Sequence, residues 1–200
     1  MRPSLQASPH LLLSLRLHWQ TRAIANVGAP RSLGVIHHKN LFKMENWIPL
    51  TEDEYEEAWH LFESKYQFKP SIYEKDWPSI QVLNEDYLSY YLTSTWDETE
   101  EFDRICSIVF KNITSSDEYL YVLDWNHECF MFCPHLPNGS VEWVIPFYPD
   151  GDYYIFFPKD MRWCYFGHPW ERSVTLIGID LINEFKKNKP SIFGKILRKR

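Results

Sequence analysis

Glycine is scarce, at seven residues in a chain of 200, and none of the seven falls in a Gly-rich run of the kind that cradles a phosphate. That argues against a nucleotide-binding loop. The nucleophile elbow Gly-x-Ser-x-Gly and the zinc helix motif His-Glu-x-x-His are also missing. Cysteine is limited to Cys106, Cys129, Cys133 and Cys164. Four thiols in a chain of this length do not make a disulfide framework, so a reducing compartment and a cytoplasmic location are expected. No uncharged apolar run approaches the ~20 residues that a membrane-spanning helix needs, so no transmembrane segment is expected. Acids are absent from residues 1–44 and again from 186–200.

What is present is therefore unevenly distributed. The formal net charge is −6, but residues 45–185 hold eight basic residues against all 27 acids, a net of −19. Such a field repels nucleic acid and attracts cations or basic proteins. Aromatics are abundant, at 9 Trp, 12 Tyr and 13 Phe. They interleave with acids rather than with bases, which disfavours single-stranded nucleic acid and is closer to a protein-binding face.

Residues 1–43 fit a secretory signal poorly, because Arg16 and His18 interrupt the apolar run that starts at Leu11. Their Arg-rich, acid-poor composition matches a transit peptide. Met44 and the abrupt change of composition after it favour a third reading, translation from an upstream start. The expected organisation is a disordered segment 1–43, one acidic α+β domain over 44–188, and a basic tail 189–200.

Thr51 with Glu54 forms a capping-box pattern. Tyr55, Ala58, Trp59, Phe62 and Tyr66 follow at helical spacing, predicting a helix over 52–67. Residues 68–80 read as a loop broken by Pro70 and Pro78, and 82–95 as a strand. Asp97 is placed to cap a second helix with a stripe of Phe102, Ile105, Cys106, Val109, Phe110 and Ile113. Short strands are expected at 118–125, 129–133, 141–145, 152–157, 162–166 and 174–179, then a helix over about 180–188. The expected fold class is α+β, with an antiparallel sheet of about five to seven strands. Two N-terminal helices and a short C-terminal helix pack on it. Residues 191–200 alternate basic and apolar side chains, as a frayed or membrane-grazing end would.

Two constellations suggest chemistry. The run His127, Cys129, Cys133, His135 contains four zinc-ligand types. On one extended strand, however, they spread over ~26 Å at ~3.3 Å per residue, too far to converge on one ion. The second comprises His127, Asp150, Asp152, His168 and Glu171, all at turns. They would suit a metal-dependent or acid–base hydrolase-like enzyme. Turn Asp and His residues also routinely hydrogen-bond their own backbone. No resident metal or cofactor is expected.

Several segments carry a resemblance. They are Trp47-Ile48-Pro49-Leu50, the 68–78 stretch with Trp77-Pro78, Tyr121 to His127, Pro149 to Phe156, and Phe166-Gly167-His168-Pro169-Trp170-Glu171. In these the chain, over 44–185, resembles an uncharacterised bacterial family, domain of unknown function 2716. The resemblance implies a small soluble bacterial protein and supplies no activity. The last third also resembles the ending of SMI1/KNR4-type domains, several of which are immunity proteins that neutralise toxins. The leading expectation is a non-enzymatic, protein-binding module, of immunity type in its sharpest form, that recognises a basic partner. Its binding acids would be Glu52, Asp53, Glu56 and Glu57 on the first helix and Glu98, Glu100 and Glu101 on the second.

Overall fold

The computed structural model describes residues 45–93, 99–137 and 144–200. Within them the elements run β1 (Trp47–Pro49), α1 (Glu52–Tyr66), a 3-10 turn (Glu74–Asp76), β2 (Tyr87–Leu92), α2 (Thr99–Asn112), β3 (Leu120–Asp124), β4 (Phe130–Phe132), β5 (Tyr154–Pro158), β6 (Cys164–His168), β7 (Ser173–Ile177), α3 (Ile179–Lys187) and β8 (Phe193–Lys199). The strands form one sheet in the order β1-β4-β3-β5-β6-β7-β2-β8, with every neighbouring pair antiparallel.

Helix α1 begins where its capping box directs. The Thr51 Oγ1 accepts from the Glu54 N–H, and the Glu54 carboxylate accepts from the Thr51 N–H at 2.9 Å. Gln67 ends the helix in the left-handed region, with φ 49°. Ala58, Trp59, Phe62 and Tyr66 form its buried stripe. Thr51→Ala removes the cap and is expected to lower stability by about 1 kcal/mol, measured as a shift in urea midpoint. An unchanged midpoint would refute the energetic role of the box.

Alternation along the strands sends side chains to two cores. Leu120, Val122, Tyr154, Phe156, Tyr165, Val174 and Leu176 pack with α2 and α3. Tyr121, Leu123, Ile155, Phe157, Cys164, Phe166 and Ile177 pack with α1. An antiparallel sheet often leaves one face wet, but this one is covered on both, so β5, β6 and β7 are buried at every position. The large aromatic inventory supplies these two cores. Tyr73 is the one aromatic among the well-exposed large apolar side chains of the described residues.

Gly178 joins β7 to α3 at φ +95°, and a Cβ there would come within 2.7 Å of the Arg162 carbonyl oxygen. Only glycine fits that junction.

The expected α+β class with an antiparallel sheet is what the described residues form, but the details need correction. Among the described residues there are eight strands rather than five to seven. The additional ones lie at the two edges: three-residue β1, and β8 within the basic 189–200 stretch, which pairs with β2 rather than fraying. Among the described residues the helices number three; β2 separates α1 from α2, as the strand expected at 82–95 implied, and the two helices cover opposite faces of the sheet. Asp97, and residues 141–143 of the strand expected at 141–145, lie outside the described residues. Val144 and Ile145 are not in a strand. No described helix is long and apolar enough to cross a membrane.

Candidate functional site

The end of β3, the start of β5 and the end of β6 meet at one end of the sheet, because β5 lies between β3 and β6 and runs antiparallel to both. Asp124 leaves β3 into a tight turn. Asn126 takes φ +71°, a conformation asparagine tolerates, and the His127 N–H returns to the Asp124 carbonyl. The turn folds His127 back so that its Nδ1 lies 3.0 Å from Asp124 Oδ1. The register Asp124↔Tyr154 sets Asp152 beside the same turn, with Asp152 Oδ2 at 3.4 Å from His127 Nδ1. One donor atom from each of Asp124, His127 and Asp152 lies within 4.8 Å of the others.

The electrostatics of this trio are those of a crowded, shielded carboxylate pair. Burial holds the Asp124 carboxyl above the usual range even though His127 hydrogen-bonds it. Burial, with the Asp124 charge adding to it, pushes Asp152 up to about 6 against the pull of the Tyr153 N–H. The hydrogen bond to Asp124 raises His127. A proton held among the three groups is the simplest relief of the repulsion.

Asp150 lies nearby, where its charge raises Asp124 further and its carboxylate accepts from the Tyr154 hydroxyl at 2.8 Å. It lines an open cleft of about 570 Å³ shared with Tyr148, Gly151, Trp170 and Arg172.

The remaining two of the five turn residues do not join the trio. His168 is fully buried. Its Nδ1 accepts from the Glu171 N–H at 3.1 Å, which leaves the ring proton on Nε2, facing Ser79 Oγ at 3.2 Å. Ser79 Oγ in turn lies 2.9 Å from the Tyr153 hydroxyl, which donates to the Ser71 carbonyl. A histidine that activates a serine must accept the serine proton. This one donates toward it, so the chain of bonds locks the 68–80 loop onto the sheet instead of priming a nucleophile. Glu171 is held by Arg198 of β8 and by the Ser173 hydroxyl.

The zinc-type run also disperses. Cys129 and Cys133 are buried free thiols, and His135 hydrogen-bonds the Thr114 carbonyl at 3.0 Å. Of the acids proposed for binding, Glu52, Asp53, Glu56 and Glu57 are exposed on α1. Glu57 accepts from Lys159 and from the Tyr121 hydroxyl, which lower its pKa. Glu100 and Glu101 are exposed on α2, and Glu101 is lowered by its hydrogen bonds from Ser191. Glu98 lies outside the described residues. Because α1 and α2 cover opposite faces of the sheet, these acids do not form one continuous patch.

Asp124 was not among the expected site residues. The signal for it is the i, i+3 spacing of Asp124 and His127 across a turn, which brings two side chains to one side.

A curated protein of Bacillus subtilis (strain 168), "Uncharacterized protein YxiI", is 36% identical over 83 residues, covering 40% of this chain and 51% of that protein. The match thus spans about half the length of that relative. No solved structure matches the chain, and none of the comparisons shows the expected likeness of the last third to SMI1/KNR4-type domains. The family described as "Protein of unknown function (DUF2716)" matches residues 49–182, from the first strand to the last helix, and the chain belongs to that family.

Proposed function

We propose that the protein is a non-enzymatic binding module for a basic protein partner, of which an immunity-type protein neutralising a basic polypeptide is the sharpest form. The observation that carries this is the outward face of α1. Glu52, Asp53, Glu56, Glu57 and Glu63 are all exposed there. Among the described residues, the one ion pair these acids make is Glu57 with Lys159. A rigid helix presenting unneutralised charge steers a basic partner and speeds encounter. Most aromatic side chains of the described residues belong to the two cores, so recognition rests on charge more than on aromatic anchors.

The test uses the immobilised full chain and the products of neighbouring genes, at about 50 and about 500 mM salt. A partner retained at low salt and released at high salt is expected. The triple charge reversal E52K/D53K/E56K should abolish its retention. A partner held equally by the reversed protein, or none whose retention depends on salt, would sink the reading.

The rival, a metal-dependent or acid–base hydrolase, draws support from the convergence of His127 with Asp152. It loses His168 and Glu171, which the fold commits to Ser79 and Arg198.

A further inference from the structure

We propose that Asp124, His127 and Asp152 bind one divalent transition-metal ion, of the Mn2+ or Zn2+ class, at the end of the sheet where β3 turns back beside the start of β5. The inference is independent of the basic-partner reading, because the trio is not part of the acidic face of α1.

Geometry is the first support. Neighbouring ligand atoms around an ion at ~2.1 Å lie about 3.0 Å apart in an octahedral shell and about 3.4 Å apart in a tetrahedral one. The two distances from His127 Nδ1 to the carboxylates are 3.0 and 3.4 Å. All three donor atoms lie within 4.8 Å of one another, so an ion can sit among them.

Compensation of charge is the second support. The side chains of Asp124 and Asp152 are only 15% and 12% exposed, and among the described residues neither has an ion pair with Lys or Arg. Three comparably shielded glutamates elsewhere do have one, Glu171 with Arg198, Glu184 with Lys187 and Glu118 with Arg162, whereas Asp103, a single carboxylate, has none among the described residues. A pair of shielded carboxylates with only an imidazole against them lacks positive charge.

The surroundings fit an ion as well. The Tyr153 N–H holds Asp152 Oδ1 at 2.8 Å, leaving Oδ2 toward His127. This is the orienting role that a neighbouring hydrogen bond plays for a ligating carboxylate. His127 is 64% exposed, which gives an entry path and room for water ligands. An imidazole among carboxylates favours Mn2+, Fe2+ or Zn2+ over Ca2+ and Mg2+. Three protein ligands leave positions open, as in sites that take up water or substrate rather than purely structural ones.

The experiment titrates the full chain, stripped with chelator and dialysed, with Mn2+ followed by electron paramagnetic resonance and with Zn2+ followed by calorimetry. One ion per chain is expected, together with a rise in melting temperature on Mn2+ addition. D124N, D152N and H127Q should each weaken binding by at least about tenfold and lose the thermal shift. Far-UV circular dichroism reports whether each variant is folded, and any one folded variant suffices. The double variant E52Q/D53N, on α1, should bind like the parent. Absence of one-to-one binding at about 1 mM ion, well above a specific site's dissociation constant, would overturn the assignment. So would weakening by E52Q/D53N as large as by D152N, which would mark diffuse attraction to an acidic surface, or unchanged affinity in the three ligand variants.

Discussion

Phe110→Ala is expected to lower the free energy of unfolding by about 3–5 kcal/mol. The ring is completely buried and sits at the centre of the core on the α2 side. It lies 5.2 Å from Phe147, 5.6 Å from Phe156 and 5.2 Å from Trp163, centroid to centroid. Aromatic neighbours of that size cannot collapse into the space a truncation leaves, so the cavity cost adds to the lost transfer energy. Ile108 on the same helix is among the exposed large side chains. Its replacement by alanine should change stability by no more than about 0.5 kcal/mol. Denaturant unfolding of both variants measures the contrast. Similar losses at the two positions would mean that α2 does not seat as described.

The second large effect is a pH dependence carried by His168. Burial, with the nearby Arg198 charge adding to it, lowers its pKa to about 3, against about 6.5 in an unfolded chain. Between those values the unfolded state binds a proton that the native state refuses. The stabilisation is thus complete above about pH 6.5 and declines as the pH falls toward 3. Asp103 and Asp152, both held up to about 6 mainly by burial, act in the opposite direction between about pH 4 and 6. Comparing the parent with His168→Gln cancels these carboxyl contributions, because both proteins keep them. The stability gap between the two should narrow by about 3 kcal/mol from pH 7 to pH 4. A gap that stays constant over that range would show that His168 is not held neutral in the native protein.

How much of this was legible in the sequence depends on how local each feature is. The Thr51–Glu54 box and the apolar stripe of α1 are interactions within four residues, and the helix starts where they place it. The stripe of α2 is equally local and is buried at Phe102, Ile105, Cys106, Val109 and Phe110. Strand β8 was not legible. Its alternating basic and apolar residues have no helical or core-strand signature, and only the remote β2 makes them a strand. Of the site, the His127–Asp124 pair follows from a turn, but the approach of Asp152 follows from the register of β3 against β5, about 30 residues apart. His168 lies two residues past the end of the strand expected at 162–166, and only the extension of β6 to residue 168 brings it into the sheet. It shares strand parity with Cys164 and Phe166, both on the buried α1 side of β6, which marks it as an interior residue.

The position of β2 constrains how the chain reaches its folded state. This strand, Tyr87–Leu92, lies between β7 and β8, with Tyr90 opposite Val174 on one side and Ile196 on the other. Both partners are synthesised some 80 to 110 residues later. During translation β2 must wait with both edges unpaired until nearly the whole domain has emerged, and pairings this remote in sequence close slowly. The Tyr- and Leu-rich segment is thus an adhesive strand exposed along both edges for much of translation. Removing residues 193–199 would leave β2 as an open edge in the finished protein, so the last strand also closes an adhesive seam.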